Sequence, residues 1–225
     1  RMRSSNRIPT AILVVALALR LAHFFAVHDQ PFFSQLAMDA QEYDRWAQEI
    51  ASGHWLGSEV FFQAPLYPYL LATVYTIVGH RLDAIYLLQI ATAIAGIFAL
   101  YRATRAMADE RLALIAAGLA AAYGPFLFHD VQLLKESFAV AVAAGLLFAL
   151  ATAGTAWQWL GAGALLGVLA LFRENALLLV PFLLPLVWRP GGGVRPFVAR
   201  ALSFLLGMAL VLAPVAVRND VVGGT

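Results

Sequence analysis

The chain has 225 residues, of which 62% are hydrophobic and 12% charged, with a net charge of +2 and no cysteine. A mean hydropathy of +0.78, with apolar runs of about 20 residues, excludes an ordinary soluble domain and predicts a polytopic helical membrane protein. The missing cysteines exclude disulfides and thiolate metal sites, and nothing in the chain reads as a nucleic-acid-binding surface.

The first apolar run, about Pro9 to Val27, follows Arg1, Arg3 and Arg7. The positive-inside rule therefore puts the N-terminus in the cytoplasm. No convincing small-residue cleavage site precedes His28-Asp29, and further runs follow, so this reads as an uncleaved span rather than a signal peptide. Residues 28–63 hold no spanning run and read as an external loop with structure of its own.

Inside that loop, Asp39 to Gly53 has the pattern of an amphipathic helix. Tyr43, Trp46, Ala47, Ile50 and Ala51 make one apolar stripe, and Gly53 is a suitable C-terminal stop. Tyr and Trp favour the lipid–water boundary, so the helix is expected to lie on the membrane surface. Asp39 at its start reads in two ways: as an N-cap carboxylate, or as a general base over a membrane-embedded substrate.

Ala64 to Gly79 is too short to span comfortably, since a helix of this length reaches about 24 Å against a bilayer core of about 30 Å. If it spanned, Arg102, Arg105 and Arg111 would become external, against the positive-inside rule. It is therefore read as a second interfacial helix. Further spans are predicted at about Leu82–Tyr101, Leu112–Phe128, Gln132–Ala151, Trp157–Phe172, Asn175–Trp188 and Ala201–Val217. The result is an all-α protein with seven transmembrane helices and two juxtamembrane helices in the first external loop (residues 28–81, helices about 39–52 and 64–79).

This topology places Arg102, Arg105, Arg111, Arg189, Arg195 and Arg200 inside, with Gly191-Gly192-Gly193 as a cytoplasmic turn. Asp39, Glu42, His129, Asp130, Arg173, Glu174, Arg218 and Asn219 all fall outside. Carboxylates at a membrane boundary are costly unless paired or hydrated, which favours a polar pocket. His129-Asp130 with Lys135-Glu136 reads either as a polar loop holding a local Lys–Glu pair or as the place of a second carboxylate facing the first across a cavity. Arg173-Glu174-Asn175 reads as a polar turn, or as the place where an arginine meets a lipid phosphate through bidentate hydrogen bonds. Two external arginines near two external carboxylates suit cleavage of a lipid phosphate ester, one group activating a nucleophile and a cation stabilising the departing phosphate.

On these residues the sequence resembles the GT-C superfamily of polyprenyl-phosphate-dependent glycosyltransferases, near its protein O-mannosyltransferase and aminoarabinose-transferase branches. The matching elements are Asp39-Ala-Gln-Glu42-Tyr43 with Ala47, Ile50 and Gly53, then Ala64-Pro65-Leu66-Tyr67-Pro68-Tyr69 ending at Gly79. Leu133-Leu134-Lys135-Glu136, Arg173-Glu174-Asn175, and Pro214 followed by Arg218-Asn219 complete the set. The resemblance implies a single module of residues 1–225, cut after its seventh span. It also implies an inverting transfer of a hexosyl or pentosyl group from a polyprenyl-phosphate donor to a lipid, glycan or protein acceptor. Asp39 matches the family's catalytic base, and Asp130 takes the position of a further acidic residue in the second external loop. Glu42, Tyr43, His129, Arg173, Glu174 and Arg218 are the expected substrate-binding residues. No cofactor is fixed, and a divalent metal stays open because other branches carry a metal site. The expected location is a prokaryotic inner or plasma membrane, with the site on the external, periplasmic face. The competing readings are a lipid-linked-sugar carrier or transporter, and an assembly subunit of a membrane complex.

Overall fold

The computed structural model describes residues 7–188 and 193–224, apart from the side chain of Phe32. Arg1, Arg3, Arg189 and the Gly191-Gly192 part of the expected turn lie outside the described residues. Helices make up the described fold, and no strand occurs among the described residues. In chain order they are α1 (Arg7–Val27), α2 (Pro31–Ser34), α3 (Asp39–Ala51), α4 (Leu66–Val78), α5 (Leu82–Met107), α6 (Glu110–Ala122), α7 (Gly124–His129), α8 (Glu136–Thr152), α9 (Ala156–Phe172), α10 (Val180–Leu183) and α11 (Val194–Gly223). Three of these, α1, α5 and α11, are long and apolar enough to cross a membrane by themselves. Their outward faces carry Val14, Val15 and Phe25 on α1 and Leu202, Leu206 and Leu210 on α11, all exposed. Large apolar side chains facing outward along whole helices require a lipid surround rather than water.

The two helices expected at the interface form within a residue or two of their expected bounds. The apolar stripe of α3 is buried at Tyr43, Ala47 and Ile50, while Glu42, Arg45 and Glu49 pair with one another on the outward face. Exposed pairs of that kind contribute little, so the buried stripe orients the helix. Asp44 fastens it: Tyr75 Oη of α4 donates to the carboxylate at 2.6 Å, and His80 Nε2 lies 2.8 Å from it. At 13 residues, α4 is about 20 Å long, well under the bilayer core.

Two expected spans differ. The stretch Leu112–Phe128 is not one helix: α6 stops at Ala122, Tyr123 is extended (ψ 109°), and α7 restarts with Pro125 in its first turn. Proline lacks the N–H that would continue α6 and pre-sets the start of a new helix. The stretch Asn175–Trp188 is likewise broken, into a 3₁₀ turn at Glu174–Leu179, the single turn α10, and a second 3₁₀ turn at Leu184–Val187. Pro181 and Pro185 each remove a helical hydrogen bond four residues apart, so no continuous α-ladder can form. At the other extreme, α5 runs past Tyr101 through Arg102 and Arg105, and α11 spans 30 residues.

The closest helix pair is α9 with α11. A Cβ on Gly163 would lie 1.8 Å from Phe204 O, and one on Gly207 would lie 1.9 Å from Leu160 O. Both obstacles are backbone, so neither can rotate away, and the two glycines set the separation of the helices. Gly207→Ala is expected to destabilise by at least about 1–3 kcal/mol, the usual cost of overpacking. Gly161→Ala, which meets nothing within 4 Å, should be neutral or slightly stabilising. Unfolding midpoints of the two variants in detergent check this, and similar midpoints would mean that the helices can part without cost.

Candidate active site

The polar residues gather where α3 and α4 meet the α7–α8 and α9–α10 connections. Tyr43 on α3 and Tyr67 on α4 stack edge to face with centroids 5.3 Å apart. Their hydroxyls donate to Gln63 Oε1 at 2.9 Å and to Gln89 Oε1 at 2.7 Å. Above Tyr43 lies Lys135, the only lysine of the chain, with Nζ 5.5 Å from the ring centroid. Lys135 is 9% exposed, and no carboxylate among the described residues lies within ion-pair distance of it. The local pair expected between Lys135 and Glu136 does not form. Instead Glu136 Oε1 accepts from Arg173 Nη2, leaving a buried cation with no ion-pair partner among the described residues.

Asp39 lies at the first position of α3, exposed. It is not the N-cap. That position belongs to Met38, which has no capping side chain and is the one described non-glycine residue with positive φ, 53°. Backbone in that region is costly and tends to accompany functional sites. Asp39 and Tyr43 are four residues apart and so share a face of α3, one turn from the residue that carries Lys135. Glu42 points to the exposed side, in its pair with Arg45.

The remaining expected residues divide by what they hold. Glu174 accepts from the backbone N–H of Ala64, so the α9–α10 turn clasps the segment entering α4. Arg218 donates to Leu56 O at 2.8 Å and to Asn219 Oδ1 at 2.8 Å, and its guanidinium lies 3.7 Å over the Phe61 ring. Its donors therefore serve the first loop.

Asp130 is 2% exposed and forms an ion pair with Arg20 Nε at 2.7 Å, while Ser137 Oγ donates to its other oxygen at 2.5 Å. Its backbone carbonyl accepts from Gln89 Nε2 at 3.1 Å. Burial pushes the Asp130 carboxyl above its ordinary value, and the Ser137 hydroxyl and Arg20 guanidinium pull it back. Arg20 also donates to Ala16 O and Ala121 O, so one fully buried guanidinium ties α1 to α6 and to the α7–α8 connection. His129 Nδ1 and Glu136 Oε2 are buried without a hydrogen-bond partner among the described residues. Both line an otherwise apolar cavity of about 470 Å³ together with Arg20, Asp130 and Ser137. Among the described residues no three His, Asp or Glu side chains converge in a way that could hold a metal ion.

Sequence reasoning passed over two residues that matter here. Arg20 interrupts the first apolar run, and an ionisable residue inside a span calls for a partner. Lys135 was assigned to its neighbour in sequence. The signal for both was a lone charge within apolar surroundings.

Together the apolar helices and the buried polar cluster at one end define an integral membrane protein. Residues 63–218, more than half of the chain, match the family model described as dolichyl-phosphate-mannose-protein mannosyltransferase. The chain belongs to that family and is a membrane glycosyltransferase. No curated protein and no solved structure gives a match.

Proposed function

We propose that the protein transfers a sugar from a polyprenyl-phosphate donor to an acceptor hydroxyl or amine on the external face of the membrane, with inversion at the anomeric carbon. Asp39 takes the acceptor proton as the acceptor atom bonds to the anomeric carbon. The bond from that carbon to the phosphate oxygen breaks, and the electron pair leaves with the polyprenyl phosphate. Lys135 meets the charge that develops on the phosphate. The observation that carries this reading is the buried Lys135 ammonium, without an ion-pair partner among the described residues, on the ring of Tyr43, a residue one helical turn along α3 from Asp39. A cation kept from water without a counter-ion is stabilised by an anion arriving with the substrate. Arg173, already shared with Glu136, stands on the turn next to this cluster and supplies a second donor. Asp130 and Arg218 act by holding the frame: the first fixes α1 against the α7–α8 connection, the second fixes the loop before α4.

A transporter would use broken helices to place charges or ion-binding carbonyls near mid-membrane. The two broken segments here, residues 112–128 and 175–187, contain no charged residue. Their interruptions follow from Pro125, Pro181 and Pro185, so the transferase reading is retained.

Lys135→Met keeps the length of the side chain and removes its charge. Losing a charge-assisted contact is worth about 1.5–3 kcal/mol, so transfer should fall about 10- to 100-fold. Affinity for polyprenyl phosphate, the product common to every sugar, should weaken in parallel. Lys135→Arg should recover part of both. Parental transfer and polyprenyl-phosphate affinity in Lys135→Met would remove the lysine from the site.

A further inference from the structure

At the far end of α5 the structure builds a second polar groove that the transfer reaction does not use. Arg102 stands 20 positions beyond Leu82, the first residue of α5, which is about 30 Å along the helix and so one bilayer core away from the Asp39 end. There the ends of α1, α5 and α8 enclose a volume of about 570 Å³, lined by Pro9 and Leu13, by Phe98, Tyr101 and Arg102, and by Phe148. The Arg102 guanidinium lies 5.0 Å from the Phe148 ring centroid and 5.8 Å from that of Phe98. Two aromatic rings from different helices thus fix the cation in place.

The charge balance of the groove is what identifies its occupant. Arg105, on the same wall, is cancelled: its Nε is 2.8 Å from Glu110 Oε2, and Tyr101 Oη donates to Glu110 Oε1 at 2.6 Å. Arg102 has no carboxylate partner among the described residues. Among the described residues the groove therefore carries one positive charge without a carboxylate partner, presented on a planar, hydrogen-bonding fork, at the depth of lipid headgroups and above apolar walls.

We propose that this groove binds the headgroup of an anionic phospholipid bearing a single phosphodiester, in the leaflet opposite the Asp39 cluster. One guanidinium and one phosphodiester match in charge, and the fork suits two phosphate oxygens at once. Leu13 and the aromatic walls lie where the upper acyl chains run. Basic pockets between spanning helices bind acidic lipids in this way. The inference is independent of the reaction proposed above, since none of these residues belongs to the Asp39 cluster.

The test is native mass spectrometry of the whole purified chain equilibrated with equal amounts of phosphatidylglycerol and phosphatidylcholine of the same acyl composition. The parent should retain one phosphatidylglycerol in preference to phosphatidylcholine. Arg102→Gln should lower that preference about 10-fold or more, the loss of one charge-assisted contact. Arg102→Lys, a point charge without the fork, should fall between. Arg111→Gln, which removes an exposed arginine outside the groove, should match the parent. A preference unchanged in Arg102→Gln, or lost equally in Arg111→Gln, would overturn the proposal in favour of a diffuse basic surface. Loss of the parent's preference in 10 mM inorganic phosphate would overturn it too, by showing a site for small anions. As a check on folding, phosphatidylglycerol should raise the melting temperature of the parent above its value in phosphatidylcholine but leave that of Arg102→Gln unchanged. A rise in both would count against the groove.

Discussion

Asp39→Asn is expected to lose at least about 100-fold in transfer, the lower end of what a general base contributes, while folding and binding polyprenyl phosphate as the parent does. The structure makes this substitution cleaner than the sequence promised. Met38 rather than Asp39 occupies the N-cap position, so asparagine disturbs only the favourable placement of a negative charge in the first turn. That is worth about 0.3–1 kcal/mol. Asp39 is exposed, and its carboxylate has no partner among the described residues whose loss would unsettle the fold. Rates of transfer, product affinity and thermal midpoint should therefore separate: the first collapses and the other two hold. Transfer near the parental rate with an unchanged midpoint would show that the base is elsewhere, with Glu42 the next acid on the same helix.

The second large effect is on stability. Removing one partner of the Arg20–Asp130 pair leaves an isolated charge in a site where Arg20 is 1% and Asp130 2% exposed. Arg20→Met or Asp130→Leu alone should cost about 3–5 kcal/mol, whereas the double variant should recover most of the loss, because replacing both charges by apolar groups removes the desolvation penalty as well. The Arg20→Met penalty has a ceiling: Asp130, already raised by burial, can take up a proton instead of staying charged. Denaturation midpoints of the four proteins in one detergent measure the coupling. Single variants within about 0.5 kcal/mol of the parent, the range of an ordinary surface substitution, would mean that the pair is not a structural tie. The double variant also tests the proposed role of Asp130, because transfer should survive in it if Asp130 only holds the frame.

The sequence by itself determined the chemical class of the fold and much of its outline. Hydropathy and length alone require helices in lipid, because no other open structure satisfies the backbone there. The stripe Tyr43–Ala47–Ile50 fixed the axis and buried face of α3, since a 3.6-residue period leaves little choice of orientation. Gly79, with φ 80°, marked the end of α4 as expected for a residue free to take positive φ. The breaks at Pro125, Pro181 and Pro185 were also present in the sequence. There the apolar character of the flanking residues outweighed the missing hydrogen-bond donors in the reading, although the fold obeyed the donors.

Only the tertiary structure decided which charges meet. Arg20 and Asp130 are 110 residues apart, and Arg218 reaches Leu56 across 162. Lys135 and Glu136 are adjacent in sequence, yet they part: Glu136 turns to Arg173, 37 residues away, and Lys135 turns to Tyr43. Consecutive residues at a helix start point about 100° apart and do not face each other, so nearness along the chain predicts little about pairing. Local periodicity decides which elements form and which face each one buries. The pairing of rare charges follows from how those faces are brought together, because in a low-dielectric interior each charge must be matched by whichever partner the packing delivers.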